Sequence, residues 1–337
     1  MSLSSYMERM LPAIEEEMQA CAKVGLEEGL EELYSMLSYH LGWEGENAGP
    51  KAQGKRIRPL LVLLTTAAAG GKWENALPAA AAVELVHNFS LIHDDIQDNS
   101  PLRRGRETVW QKWGLAQGIN AGDSMFSLAH IALRRLEKMV SPEIALRAYQ
   151  ILPMSCLILT QGQYLDLSYE GRPDLTVEDY WPMIRGKTAA LLAACTELGA
   201  LIAGADARAQ EAYRKFGEYV GLAFQVQDDI LGIWGDAALT GKSADSDLLA
   251  GKKSLPVLYS LEKKGEFAKR WQNGKISIEE VPELAKTLEV EGALAYAQEA
   301  ADTLTKRALE AVEEAEPQGD AKVALFELAD MLIKRNA

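Results

Sequence analysis

An all-α fold, a single large helical bundle around a central cavity, is what this sequence predicts, on three observations. Apolar residues recur mostly at helical spacing. Alternation of the strand kind, bounded by turns, is scarce, and strong helix formers such as Ala, Leu, Glu, Gln and Met are abundant. Several helical runs, notably 79–93, 187–202 and 219–231, are apolar nearly all round, the mark of helices buried on every side.

The individual elements follow from start and stop signals, which mark out roughly ten helices. Pro78 sits in the first turn of a run continuing to His93. Ser141-Pro142-Glu143 offers an N-cap followed by proline at the first helical position. Thr176-Val177-Glu178-Asp179 opens a run through Leu201, with Pro182 inside its first turns. Ser277-Ile278-Glu279-Glu280 has capping-box spacing. Breaks fall at residues 42–54, 70–71, 99–106, 171–174, 204–206, 235–253, 273–274 and 317–319. No flexible linker or low-complexity tract divides the 337 residues, so one domain, 1–337, is expected although length alone admits two.

Composition excludes several classes of function. A net charge of −14 argues against nucleic acid, whose phosphates need a basic footprint. No stretch reaches the roughly 18 apolar residues of a membrane span, and glutamates interrupt the amino terminus where a signal peptide would lie. Neither a membrane anchor nor export is expected. Three scattered cysteines, Cys21, Cys156 and Cys195, without CxxC spacing, read as small buried residues in a reducing cytoplasm.

The chemistry concentrates in "LIHDDIQDNSPLRRGR", residues 91–106. Asp94 and Asp98 stand at i and i+4 and share a helix face, where like charges repel. Surface pairing with Arg103, Arg104 and Arg106 is one reading. The sharper one is Mg2+, which keeps several waters and takes one or two carboxylates plus phosphate oxygens. Arg103 and Arg104 then serve as phosphate donors, so that acids and bases need not meet directly and both serve one anion. A second pair, Asp228-Asp229, ends the apolar run "GLAFQVQ", with Gln225 on the same stripe. An acidic pair in that setting is costly unless it faces a ligand or a metal. The two acidic ends are expected to face one another.

Further basic residues cluster in loops: Lys55, Arg56 and Arg58; Arg185 and Lys187 with Thr188; and Lys242, Lys252 and Lys253. "GKT" at 186–188 lacks the glycine spacing and preceding strand of a phosphate-binding P-loop. Taken together, two acidic helix ends and several basic loops suit two diphosphates and a metal cluster. His87 and Ser90 lie seven and four residues before Asp94, on its face; His93 does not, and reads as structural.

The set "GKRIRP", "HNFSLIHDDIQD", "RRG", "GKT", "FQVQDD" and "GKKSLPV", in this order between Gly54 and Leu258, resembles the trans-isoprenyl diphosphate synthases, the polyprenyl synthetase family. The resemblance implies an isoprenoid synthase type I-like bundle and a homodimer. It implies that Asp94, Asp98 and Asp228 bind three Mg2+ ions, replaceable by Mn2+, which bridge an allylic diphosphate (dimethylallyl, geranyl or farnesyl). Arg103, Lys187 and Lys242 would donate to that diphosphate, and Thr188 and Gln225 would line the nascent cation. Lys55, Arg58, His87 and Arg104 would cradle isopentenyl diphosphate, with Asp95 and Asp229 as supporting acids. One departure stands out: the second acidic motif ends in Gly232 rather than aspartate, with Asp236 four residues on. The basic tail with Lys334 and Arg335 could close over the site as tails do in relatives.

The reaction so implied is head-to-tail prenyl transfer without a side-chain nucleophile. Phe89, five residues before Asp94 and roughly 7.5 Å down the helix, would form the floor of the product tunnel, with Ser90 beside it. No two-residue insertion interrupts "DDIQD". A C20 product is expected, with C15 as the alternative. A class I terpene cyclase would need no second diphosphate cradle, and a non-catalytic subunit of a heteromeric synthase would lack the first acidic motif.

Overall fold

The computed structural model describes residues 2–25, 27–235 and 246–333. Asp236, Lys242, Lys334 and Arg335 lie outside the described residues. Among those described, the only strands are two of two residues each, and the rest of the regular structure is helical. In chain order the first elements are α1 (Leu3–Ala22), α2 (Glu31–His40), α3 (Pro50–Gln53), α4 (Ile57–Ala68) and α5 (Leu77–Gln97). The ribbon β1 (Leu102–Arg103) and β2 (Arg106–Glu107) follows, then α6 (Val109–Trp113), α7 (Leu115–Arg134) and α8 (Pro142–Tyr169). Next come α9 (Val177–Ile184), α10 (Ala190–Ile202), α11 (Ala207–Trp234), α12 (Ser246–Leu249), α13 (Leu255–Lys263) and α14 (Glu266–Trp271). The last three are α15 (Val281–Val290), α16 (Ala293–Glu314) and α17 (Gly319–Ile333). No helix among the described residues is long and apolar enough to cross a membrane.

The start signals act as expected. Pro78 lies in the first turn of α5, and Pro142 opens α8 behind Ser141. Thr176 with Asp179, and Ser277 with Glu280, form reciprocal capping boxes. The run from Thr176 to Leu201 is not one helix, however. It opens into a wide turn over Arg185–Ala189, where the backbone pairs five residues apart.

The chain divides into two compact units. The first comprises Met1–Pro153, Cys195–Gln210 and Glu316–Phe326. Its core is built on α4 and α5: Leu60 to Leu64 and Ala79 to Val83 are all sealed from solvent. Gly199 lets the chain approach α4 closely, since a β-carbon there would sit 2.6 Å from the Val62 carbonyl. Arg56, buried and left-handed (φ 49°), ties three elements together. Its guanidinium donates to Glu15 of α1 (2.6 Å), to Glu84 of α5 (2.9 Å) and to the Leu41 carbonyl (3.1 Å). Truncating one member of such a buried pair strands the other charge and costs about 3–5 kcal/mol.

The second unit comprises Met154–Ala194, Glu211–Ala315 and Glu327–Ala337. One of its cores joins Ile233 and Leu248 to Val257, Phe267, Leu284 and Leu288. In the same unit α8 crosses the wide turn backbone to backbone at Gly162 and Gly186. A β-carbon on Gly186 would lie 2.7 Å from the Gly162 Cα, and one on Gly162 would overlap the Lys187 amide.

Candidate active site

The first acidic motif stands at the carboxyl end of α5. Asp98 caps the helix, its N–H reaching the Asp94 carbonyl at 2.9 Å, and Asn99 (φ 51°) turns the chain away. Asp94 is half-buried and Asp98 exposed, on one face by their spacing. Asp95 points elsewhere. Its side chain is 2% exposed and takes the Arg103 guanidinium, with Nε 2.8 and 2.9 Å from the two carboxylate oxygens and Nη2 2.8 Å from Oδ1. Arg103 Nη2 is 3.9 Å from Asp94. The expectation that acids and bases need not meet fails for Asp95 and Arg103. A carboxylate buried on α5 needs a charged partner of its own.

The ribbon sets the three arginines apart. Arg103 pairs with Arg106, and the two residues between them, Arg104 (φ 52°) and Gly105 (φ 75°), are both left-handed, as a tight type I′ turn requires. Arg104 Nη1 donates to the Ala52 carbonyl at 2.7 Å, and its guanidinium fills the space beside Gly54, where a β-carbon would meet Nη2 at 2.6 Å. Arg106 is structural. It donates to the carbonyls of Tyr39, Glu44 and Glu46 and lies 3.9 Å over the Tyr39 ring.

The basic segment at 55–58 divides in the same way. Arg56 belongs to the buried network of α1, α2 and α5, whereas Lys55 is exposed. Arg58 is half-buried, and its Nε is buried without a hydrogen-bond partner. Burial lowers the Arg58 pKa. His87 is held well below its ordinary range, first by burial and then by the positive fields of Arg58, Arg104 and Arg103, with His40 beside it. These groups therefore converge, with cations exceeding acids. An arrangement of this kind is built for an anion. His40 was missed by sequence reasoning, because a histidine ending a helix is ordinarily explained by the helix dipole.

Below the motif, Phe89 is buried and meets Phe126 of α7 edge-on, with ring centroids 4.8 Å apart. Phe126 meets His130 in the same way at 4.6 Å. No pattern in the sequence marked Phe126. Ser90 donates its hydroxyl to the His87 carbonyl one turn back (2.7 Å). His93 packs on Gly122, its Nε2 3.6 Å from Asp123.

In the second unit, Asp228 is half-buried and Asp229 is 1% exposed. Asp229 does not need a ligand to offset its burial. It accepts from the Tyr180 hydroxyl (2.8 Å), the Leu255 N–H (3.1 Å) and the Gln225 amide (3.0 Å), with Lys252 at 3.5 Å. Gln225 in turn accepts from Thr188 at 2.8 Å. Lys187 projects from the wide turn and is salt-bridged to Asp166 of α8, a partner that sequence reasoning did not name. Arg185 pairs with Glu218 at 2.9 Å. Lys252 also lies 3.6 Å from Asp247, and Lys253 donates to the carbonyls of Tyr169, Glu170 and Arg172. Gly232, the departure from the acidic motif, is filled from outside: a β-carbon there would overlap the Asp247 carboxylate.

Comparison with known proteins identifies the family. Residues 47–288 match the Polyprenyl synthetase family. The geranylgeranyl diphosphate synthase of Mycobacterium tuberculosis is 46% identical over 240 residues, 71% of this chain and 68% of that protein. A (2E,6E)-farnesyl diphosphate synthase of Mycobacterium bovis is 45% identical over 237 residues, 70% of this chain and 65% of that protein. Among solved structures, the geranylgeranyl pyrophosphate synthetase of Pyrococcus horikoshii superposes with a TM-score of 0.89 at 34% identity, covering 99% of this chain and 98% of that one. With the two aspartate motifs and the basic loops in their order, these likenesses establish that this chain belongs to the polyprenyl synthetase family, and by class it is a prenyltransferase.

Proposed function

We propose that this chain joins isopentenyl diphosphate head-to-tail to allylic diphosphates (dimethylallyl, geranyl, farnesyl) and makes geranylgeranyl diphosphate. Farnesyl diphosphate is the alternative product. The observation that carries the reading is the cradle of Arg58, His87 and Arg104: a buried guanidinium nitrogen without a partner beside a histidine kept neutral by burial and then by its cationic neighbours. A terpene cyclase has no use for such an anion site in addition to its acidic helix end.

The acidic residues fit Mg2+. Asp94 and Asp98 offer hard carboxylate oxygens one turn apart with access to solvent. A pair of carboxylates suits Mg2+, which takes one or two of them and fills its remaining positions with water and phosphate oxygens; no group of three or more His, Cys, Asp or Glu that could hold a metal occurs among the described residues. Asp94, Asp98 and Asp228 would hold Mg2+, three ions by family likeness, with Mn2+ a substitute. When bound, the metal neutralises the diphosphate and favours its departure. Arg103 and Lys187, with Lys242 outside the described residues, donate to the departing anion. Each described donor is held in place by an acid, Arg103 by Asp95 and Lys187 by Asp166. Thr188 and Gln225 line the allylic cation. Lys55, Arg58, His87 and Arg104 orient isopentenyl diphosphate so that its double bond attacks. The proton then lost passes to the released diphosphate, so no side-chain base is required. Phe89, backed by Phe126, limits product length.

Residues 1–337 form one catalytic domain in this reading, and two copies associate. Leu146, Met154, Leu157 and Ile158 are exposed along one face of α8, which supports a second copy of this chain as the covering partner. Three buried free cysteines are in keeping with the cytoplasm. Purified protein, Mg2+, labelled isopentenyl diphosphate and each allylic primer, with products sized by chromatography, test the activity. No incorporation of label with any primer overturns it, and sedimentation as a monomer overturns the dimer.

A further inference from the structure

His40 closes α2, and among the described residues its imidazole makes no hydrogen bond. It borders a small cavity with Asp95, Arg103 and Arg104. The cavity has a volume of 20 Å³, room for about one water or one phosphoryl oxygen. The other charged walls are Arg106 and Glu107. Asp95 is taken by Arg103, and Arg56 nearby is balanced by Glu15 and Glu84. Arg104 and Arg106 are met by carbonyls rather than carboxylates. The field over His40 is therefore positive, and His87 stands in the same cationic group.

We infer that His40 is a further ligand for the diphosphate of isopentenyl diphosphate, donating an N–H to a phosphoryl oxygen seated in this cavity. The inference rests on the prenyl-transfer reading for the identity of the ligand and on the geometry for the anion. Burial and the surrounding arginines push the free imidazole down to about 3, so it enters the encounter neutral, with one donor. A bound diphosphate reverses the local field, and the ring then takes a proton from solvent and gains its second donor. Neighbouring Arg58 and Arg104 remain charged throughout, since guanidinium groups do not titrate in this range.

The test is calorimetric titration of inorganic pyrophosphate into the whole protein without metal, in two buffers of different ionisation enthalpy. His40→Gln and His40→Asn are compared with the unmodified chain, each first checked for its thermal midpoint. The expected result is about 10-fold weaker binding and reduced proton uptake in the variants, the scale of a lost hydrogen bond to a charged group. Equal affinity and equal proton uptake in either folded variant overturn the inference, as does no binding of pyrophosphate by the unmodified chain. A parallel titration with isopentenyl diphosphate separates the two readings. Pyrophosphate binding that depends on His40, with no response to isopentenyl diphosphate, refutes prenyl transfer and leaves the anion ligand in place.

Discussion

Arg103 grips Asp95 rather than either aspartate of the exposed face: both carboxylate oxygens of Asp95 lie within 2.9 Å of the guanidinium, whereas Asp94 is 3.9 Å away. The acidic motif is thus two devices, a pair of carboxylates turned outward and a buried one that aims a cation. The two should fail differently. Asp94→Ala is expected to lower kcat by about 1,000-fold or more in a folded protein, about 4 kcal/mol of transition-state stabilisation. Asp95→Asn should instead lower the thermal midpoint as well as kcat, because the buried guanidinium contact loses its charge. Steady-state kinetics beside a melting curve distinguishes them; near-normal turnover of folded Asp94→Ala would refute the metal assignment.

Phe89→Ala should lengthen the product. Phe126 stands directly behind it, 4.8 Å away ring to ring, so the double substitution with Phe126→Ala should lengthen it further than either single change. Chain length read by chromatography checks this, and an unchanged spectrum in all three variants removes the floor from consideration.

Gly162→Ala is expected to cost about 3–5 kcal/mol, at the severe end for a point change, because neither contacting backbone can yield without moving a helix. The overlap falls on the amide of Lys187, so activity should drop with stability. Denaturant midpoints of the variant measure the first effect, and a midpoint within 0.5 kcal/mol of the original contradicts the close crossing.

Tyr180→Phe removes one donor from buried Asp229 while leaving the Leu255 N–H and Gln225 in place. A loss of about 1–2 kcal/mol is expected. Tyr180→Phe should also raise the sensitivity of kcat to Thr188 substitution, since Tyr180 donates to Asp229 directly and Thr188 reaches it through Gln225; a double-mutant cycle reads the coupling.

Acid should destabilise the free protein through two histidines. The folded pKa of His40 is about 3 and that of His87 is well below 6.5, so both are neutral in the fold. The unfolded chain binds protons at these sites below about pH 6.5 and the folded chain does not. Their contribution to stability is therefore present above pH 6.5 and is lost as pH falls toward the folded values, at no more than about 1.4 kcal/mol per pH unit for each. Urea midpoints at pH 7 and pH 5 should differ in that sense, with a shallower slope in His40→Gln. Saturating pyrophosphate should flatten the slope; a midpoint that rises toward pH 5 contradicts the assignment.

What could be read in advance was whatever a single segment encodes. Helical spacing, Pro78, Pro142 and the two capping boxes are local signals, and the helices begin where they point. Asp94 and Asp98 were legible because one turn of helix fixes their relation. Pairings between distant segments were not legible. Nothing in "LDL" announces that Asp166 will anchor Lys187, and nothing near residue 40 announces a cationic cavity. The break at Arg185–Ala189 was hidden as well: the close crossing of Gly162 and Gly186 that accompanies it is visible only when the backbones meet. Gly232 read as a missing acid, but the space it leaves is taken by Asp247, fifteen positions further along the chain.

The left-handed pair Arg104-Gly105 fixes the register of the ribbon, and the short link before it fixes the distance of the ribbon from α5. With only Asn99 to Pro101 between the helix cap and β1, a single inserted residue would leave the ribbon's own pairing intact but shift it against α5 and carry Arg103 away from Asp95. Sequence drift in this stretch is thus constrained in number of residues more tightly than in kind.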